Sequence, residues 1–280
     1  MLKKIDRARI FLNKQAALFA CPICHEAMRQ TERGLACDKG HRFDLSKKGT
    51  LYFLKSQIKS DYDANLFFHR AKMIQGGMYQ PLLLKLADLV ANQKVLDVGC
   101  GEGSFLAQLQ QLTPLKAAIG FDIAKEGIYQ ASNHATDAFW CVADLTNLPF
   151  ANHSFDVVLN IFSPSNYHEF KRVLKPGGRL IKVIPDEKYL YELRCAFYPD
   201  DEKKQRYSNQ QVVEKLLQAF PQTQFERLSY QFAIPEDLRL SLLEMSPLEW
   251  GVSDERKAQL QEKPLEKITI DLLVAISQNQ

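Results

Sequence analysis

Apolar and polar positions change rhythm near residue 94. From there, short apolar runs alternate with stretches of helical period: KVLDVG then SFLAQLQQL, AAIGFD then AKEGIYQAS, AFWCVAD, FDVVLNI then YHEFKRVL, and GRLIKVIP. Runs so uniformly apolar read as strands buried on both faces. Their alternation with helices predicts a parallel sheet covered on both sides, in which a ligand is expected beyond the carboxyl ends of the strands. Residues 186–223 read mostly as helix, and LSYQFAIP near 228 and KITIDLLVAI near 267 as two closing strands.

Upstream the pattern differs. Residues 1–20 resemble a basic amphipathic helix, with Ile5, Ile10, Phe11 and Leu18 among charges, able to dock on the body or to fray. Residues 21–53 are rich in Cys, Gly and Lys, lack a helical period and are too short to hold a core unaided. Something must staple them. LFFHRAKMI then reads as a helix, Gly76-Gly77 as its break, and Pro81 as the opening of a second helix, PLLLKLADLV.

Composition places the 280 residues, 46% hydrophobic and 25% charged, among ordinary globular chains and excludes collagen, coiled coil and disorder. The formal net charge of +3 hides a gradient: residues 1–60 carry 13 Lys+Arg against 5 Asp+Glu, and the remaining 220 carry 23 against 28. The first fifth is basic and the rest mildly acidic. The six cysteines, at 21, 24, 37, 100, 141 and 195, are too sparse for a disulfide framework. No window approaches a secretory signal or a membrane span. A cytoplasmic protein with reduced thiols is expected.

Three of those cysteines fall within 17 residues. Cys21-Pro-Ile-Cys24 can present two thiolates to one ion, and Cys37 with His41, four positions on, supplies a second pair. A Cys3His set suits one tetrahedral, structural Zn2+ per chain and provides the missing staple. His25 is the competing fourth ligand, but it abuts Cys24 and would strain the knuckle. Otherwise the thiols are incidental and His41 caps a turn. The surrounding Lys39, Arg42, Lys47, Lys48, Lys55 and Lys59 suit phosphate contacts or form a solvated basic face. The segments expected are an extension over 1–20, a zinc-binding domain over 21–60, and a larger α/β domain over 61–280.

In the larger domain the strand VLDV runs into Gly99-Cys100-Gly101-Glu102-Gly103 and a helix. Gly99 permits a sharp turn, Gly101 lets the backbone approach a ligand, and the helix N-terminus favours negative charge. The spacing departs from the dinucleotide fingerprint, because the third glycine comes early and Asp97 precedes the loop. Asp122 closes the second strand, placed to accept from two ribose hydroxyls, and Asp144 follows the third, placed to accept from an exocyclic amine. Taken singly, each is also an ordinary turn or cap residue.

VLDVGCGEG, the acids at 122 and 144, and the Leu174-Lys-Pro-Gly-Gly178 turn resemble class I S-adenosylmethionine-dependent methyltransferases over about residues 94–185. The implied fold is α/β: a Rossmann-like, doubly wound, mostly parallel seven-stranded sheet preceded by a small zinc-binding domain. The resemblance implies that Asp97, Gly99, Gly101 and Gly103 form the loop against the methionine portion of S-adenosylmethionine. It further implies that Asp122 meets the ribose and that Asp144 with Leu145 flanks the adenine.

The zinc knuckle ahead of that domain narrows the match. CPIC…CDKGHRFD, Gly77-Met-Tyr-Gln-Pro-Leu82, LPF at 148–150, LKPGG, and Leu243-Glu-Met-Ser-Pro247 with Trp250 resemble the bacterial 23S rRNA guanine-N1 methyltransferases of the guanine-745 type. That resemblance implies a homodimer whose zinc module helps hold a hairpin in domain II of 23S rRNA. It also implies cofactor contacts at Tyr79, Phe105, Leu106 and Tyr189, the last standing where the family has histidine. The extension 1–20 precedes the family's usual start.

The fourth strand ends Leu159-Asn160-Ile161-Phe162-Ser163-Pro164. Asn160 is a candidate for reading a base edge and Phe162 for stacking on it, against strand-end capping and core packing as the plainer roles. His168 and Glu169 read as surface residues. The base that takes the guanine N1 proton is not identified. A small-molecule methyltransferase with a zinc lid leaves the basic first fifth without a purpose. A non-catalytic RNA-binding protein leaves the intact glycine loop and Asp122 without one.

Overall fold

The computed structural model describes residues 2–56, 58 and 62–280. Lys59 and the domain boundary expected at 60/61 lie outside them. The basic extension forms α1 (Lys4–Gln15), and it is docked: Ala8 and Leu12 are buried, and Phe11 stacks on Phe139 with ring centroids 5.1 Å apart. Three short antiparallel strands follow, β1 (Met28–Gln30), β2 (Gly34–Cys37) and β3 (Arg42–Asp44), in that spatial order. They lead to β4 (Leu51–Tyr52).

Helix α2 (Ala64–Gln75) starts at Asp63, whose carboxylate accepts from the Leu66 amide, and stops at Gly76. Helix α3 (Gln80–Val90) carries Pro81 in its first turn. Strands and helices then alternate as the apolar rhythm predicts: β5 (Lys94–Val98), α4 (Ser104–Leu112), β6 (Ala117–Asp122), α5 (Lys125–Ala131), β7 (Phe139–Val142), β8 (Phe155–Ile161), α6 (Tyr167–Val173) and β9 (Leu174–Pro185). After α7 (Tyr191–Phe197), α8 (Glu202–Gln205) and α9 (Gln210–Ala219) come β10 (Gln224–Ala233), α10 (Arg239–Glu244), α11 (Asp254–Glu262) and β11 (Lys267–Gln278).

The main sheet runs β10-β11-β9-β8-β5-β6-β7-β4. All neighbours from β9 to β4 are parallel, and β11 lies antiparallel between β9 and β10. The sheet therefore has eight strands, not the seven expected. The extra one is β4, which leaves the cysteine-rich segment and sets Leu51 opposite Cys141 and Tyr52 opposite Val142. The chain winds outward from β5 in both directions, which puts the topological switch point beyond the ends of β5 and β8.

Each face of the sheet has its own core. Leu82, Leu86, Leu106, Leu109 and Leu242 cover one face. On the other, Phe150, Phe155, Phe170 and Leu216 pack with Leu12 of α1 and with Phe19, Cys21, Leu35 and Phe53 of the cysteine-rich segment. That segment, too small for a core of its own, shares the core of the sheet. Among the described residues no helix is long and apolar enough to cross a membrane.

Candidate active site

Cys21, Cys24, Cys37 and His41 bring their ligand atoms within 4.8 Å of one another. The Cys24 and Cys37 sulfurs are 3.6 Å apart, and His41 Nδ1 lies 3.5 Å from the Cys21 sulfur and 3.4 Å from that of Cys37. Tetrahedral zinc at ordinary bond lengths needs edges of about 3.8 Å between sulfurs and about 3.5 Å between sulfur and nitrogen. The residues fit the ion. His41, not His25, completes the set.

The knuckle is fastened to the loop that follows β7. The Asn147 side-chain amide donates to the Pro22 carbonyl at 2.8 Å, and the Ala20 amide donates to the Pro149 carbonyl at 3.1 Å. Asp144 begins that same loop, its carboxylate accepting from the Thr146 amide at 2.8 Å. The zinc module thus stands beside the carboxyl edge of the parallel strands.

Beyond that edge lies a cavity of about 260 Å3, lined by Gly99, Gly101, Asp122, Asp144, Leu145 and Phe162 of the sequence-predicted residues. Asp122 is held on both oxygens, by the amides of Gly101 and Ala124, each at 2.8 Å. The carboxylate keeps acceptor capacity toward the cavity that it lines. Burial raises this carboxyl above its usual range against the pull of those amides. Behind it, burial pushes the Asp97 carboxyl up to about 8, and the charges of Asp122 and Glu102 add to the push.

Arg70 of α2 lines the same cavity, and its charge opposes part of the rise that burial imposes on the carboxyls of Glu102 and Asp122. Sequence reasoning missed it. The signal was present: Leu66, Phe67, Met73 and Ile74 form the buried stripe of α2, and Arg70 is the cation at i+3 and i+4 within it. Tyr62 and Phe67, also on the wall, were missed as well.

Other predicted residues stand back from the cavity. Tyr79, Phe105 and Tyr189 surround Phe162, with ring centroids 5.6, 6.1 and 5.5 Å from it. They shape the wall through that ring, whose residue holds a φ of 54°. Leu106 is wholly buried in the core beneath α4 and is not among the residues lining the cavity. Gly103 is the N-cap of α4, with φ 79°; a Cβ there would meet the Trp140 ring at 2.6 Å. Its smallness serves packing against that ring.

Asn160 requires a larger correction. It is fully buried: its amide nitrogen donates to Ser163 Oγ (2.6 Å) and the Pro164 carbonyl (2.9 Å), and its oxygen accepts from Ser165 Oγ (2.9 Å) and Lys182 Nζ. All four positions are taken, leaving none for a base edge. Ser163 in turn donates to the Val98 carbonyl at 2.6 Å, tying this loop to the glycine loop. Lys182 has only neutral acceptors, and burial pulls its ammonium down to about 8. The network holds the turn that presents Phe162. His168 is exposed, as expected, whereas Glu169 is buried and paired with Arg172 at 2.6 Å.

A doubly wound sheet, a glycine loop at its switch point and acids closing successive strands define a class I S-adenosylmethionine-dependent methyltransferase. The Methyltransferase domain profile matches residues 95–178, and the zinc-ribbon profile described as RlmA, N-terminal matches 19–61. Among solved structures, Haemonchus contortus phosphoethanolamine N-methyltransferase 2 in complex with S-adenosyl-L-methionine shares the fold. Its TM-score is 0.50 at 16% identity, over 79% of this chain and 59% of that one.

The "Putative 23S rRNA (guanine-N(1)-)-methyltransferase YxjB" of Bacillus subtilis (strain 168) is 40% identical over 93% of this chain and 96% of its own length. The 23S rRNA (guanine(748)-N(1))-methyltransferase of Streptomyces fradiae is 28% identical over 91% and 95%. The chain belongs to the 23S rRNA (guanine-N1)-methyltransferase family.

Proposed function

We propose that this enzyme transfers the methyl group of S-adenosylmethionine to N1 of a guanine in a hairpin loop of 23S rRNA. The observation that carries the reading is the juxtaposition at Asp144: the residue lines the cofactor cavity, and its loop is bonded to a basic zinc module. Bound S-adenosylmethionine supplies an electrophilic sulfonium methyl and a neutral thioether leaving group. The residues fit it. Asp122 has lone pairs for two ribose hydroxyls, Leu145 offers an apolar face beside Asp144 for the adenine, and the cluster of buried acids suits a ligand bearing positive charge.

What the protein adds is mainly orientation. The S–CH3 bond breaks with its electron pair going to sulfur, the N1–C bond forms, and the N1 proton leaves. Among the described residues no histidine lines the cavity. Asp122 and Asp144 are committed to the cofactor, so this reading sends the proton to water at the mouth. Phe162, held by its aromatic neighbours, offers a face on which an unstacked base can rest.

The reading assigns residues 1–20 to an extension, 21–60 to RNA recognition and 61–280 to transfer. It places a cytoplasmic homodimer on the domain II hairpin at guanine 745 or a close neighbour, on the strength of the family resemblance. The test is incubation with S-adenosylmethionine and undermethylated 23S rRNA followed by primer extension. Methyl on N1 blocks pairing, so a new stop at a guanine of that hairpin is expected. Its absence would overturn the reading.

A further inference from the structure

The opposite edge of the sheet holds a cavity of about 410 Å3 that the transfer reaction does not use. Its floor is the start of β6 and β7, with Ala117, Phe139 and Trp140, and one wall is α1. Because β4, β6 and β7 are parallel, this is the amino end of the strands, whereas the cofactor cavity lies beyond their carboxyl ends. The five residue steps from Ala117 to Asp122 put roughly 17 Å between the two. No single nucleotide touches both.

Lys4, Arg7, Lys14, Lys48 and Lys116 line this cavity, and Asp137 is its one acidic residue. Among the described residues none of the five cations is in an ion pair. Lys4 and Arg7 spend bonds only on neutral groups, Asn133 and the Thr136 carbonyl. Lys48 and Arg7 stand close enough to Lys4 for their charges, with burial, to lower its ammonium. Five cations against one carboxylate in the wall fit an anion with several charges. Gln110 in the wall also carries a buried side-chain oxygen with no partner, which a hydroxyl-bearing ligand would satisfy.

We propose that this cavity binds backbone phosphates of the substrate RNA outside the hairpin loop, in the helix that flanks it. The inference rests on the RNA substrate proposed above and gives the basic extension a task. Lys47 and Lys48 lie just before β4, the strand that joins the zinc module to the sheet, and Lys48 reaches the cavity wall.

The test uses the full-length zinc-loaded chain and a triple variant, Lys14→Gln, Lys48→Gln and Lys116→Gln, whose side chains donate no hydrogen bond to the rest of the protein among the described residues. Two RNAs are compared: the minimal hairpin, and the same hairpin extended by its flanking helix. The variant is expected to bind the extended RNA about tenfold or more weakly at 0.1 M salt. The slope of log K against log salt should shrink by ~2 to 3, and affinity for the minimal hairpin and for S-adenosylmethionine should not change. Equal loss on both RNAs, or no loss on either, overturns the proposal. A competing outcome, inorganic phosphate binding at the cavity with unaltered affinity for the extended RNA, overturns it in favour of a small anion. A wild-type protein that binds neither RNA overturns the RNA reading with it, whereas a failed primer-extension stop with the RNA difference intact overturns only the transfer.

Discussion

The hydroxyls of Tyr79 and Tyr189, 110 positions apart in sequence, lie 2.5 Å from each other behind Phe162. Among the described residues each supplies the other's only hydroxyl hydrogen bond, and burial raises both phenols, Tyr189 to about 12. Tyr79→Phe or Tyr189→Phe therefore strands one buried hydroxyl and should cost ~1–3 kcal/mol. The double variant removes both groups and should recover most of that loss. A double-mutant cycle by thermal denaturation, with cofactor affinity measured alongside, tests the pair. Strictly additive losses would count against the coupling.

Asp97 is a buried carboxyl behind the cavity, held above its usual range by burial. Its folded carboxyl titrates at about 8 against 3.8 ordinarily. The folded chain thus holds the proton more tightly, and the stability this gives is full below pH 3.8 and drains away as pH rises to about 8. Asp97→Asn should stabilise the cofactor-free protein more at pH 8 than at pH 5, by ~1–3 kcal/mol, read from thermal unfolding at the two pH values. It should also weaken the binding of cationic S-adenosylmethionine about tenfold. Parallel Tm profiles for the two proteins would refute the assignment.

Lys182 acts on the Phe162 turn from beneath. Its ammonium, lowered to about 8, makes the unfolded chain the better proton binder between there and 10.5, so its contribution to stability rises with pH across that window. Lys182→Met should remove that slope, leave stability near neutral pH within about 1 kcal/mol of wild type, and reduce kcat about tenfold as the turn loosens. An unchanged kcat would show that Phe162 keeps its position without the lysine.

Chelation should couple metal loss to stability. Cys21 and Cys37 are buried in the same core as Phe19, Phe53 and Phe150, so removing the ion disturbs packing along one face of the sheet. Cys37→Ser is expected to lower bound zinc from about one per chain, weaken RNA binding more than cofactor binding, and cost ~2–5 kcal/mol of thermal stability. Unaltered metal content by elemental analysis would remove Cys37 from the ligand set.

The parallel sheet, the zinc ligands and the acids at strand ends were legible because each is written in local spacing or in continuous apolar runs. Gly103 and Leu106 were carried into the cofactor site by motif. Their actual neighbours, Trp140 and the core under α4, are set by long-range packing that spacing does not encode. Asn160 was placed correctly at the end of β8, but its partners Ser163, Ser165 and Lys182 come together only when β9 aligns beside it. Arg70 sat in plain sight on an apolar stripe. The two-residue strand β4 was invisible because so short a run carries no periodicity.

That small strand has a consequence for the fate of the protein without metal. β4 covers the outer side of β7, whose four residues Phe-Trp-Cys-Val are all buried. If the cysteine-rich segment lets go, β7 becomes a bare apolar border with free amides and carbonyls, a template for another copy of the chain. Zinc supply would then decide whether the enzyme stays dispersed or self-associates.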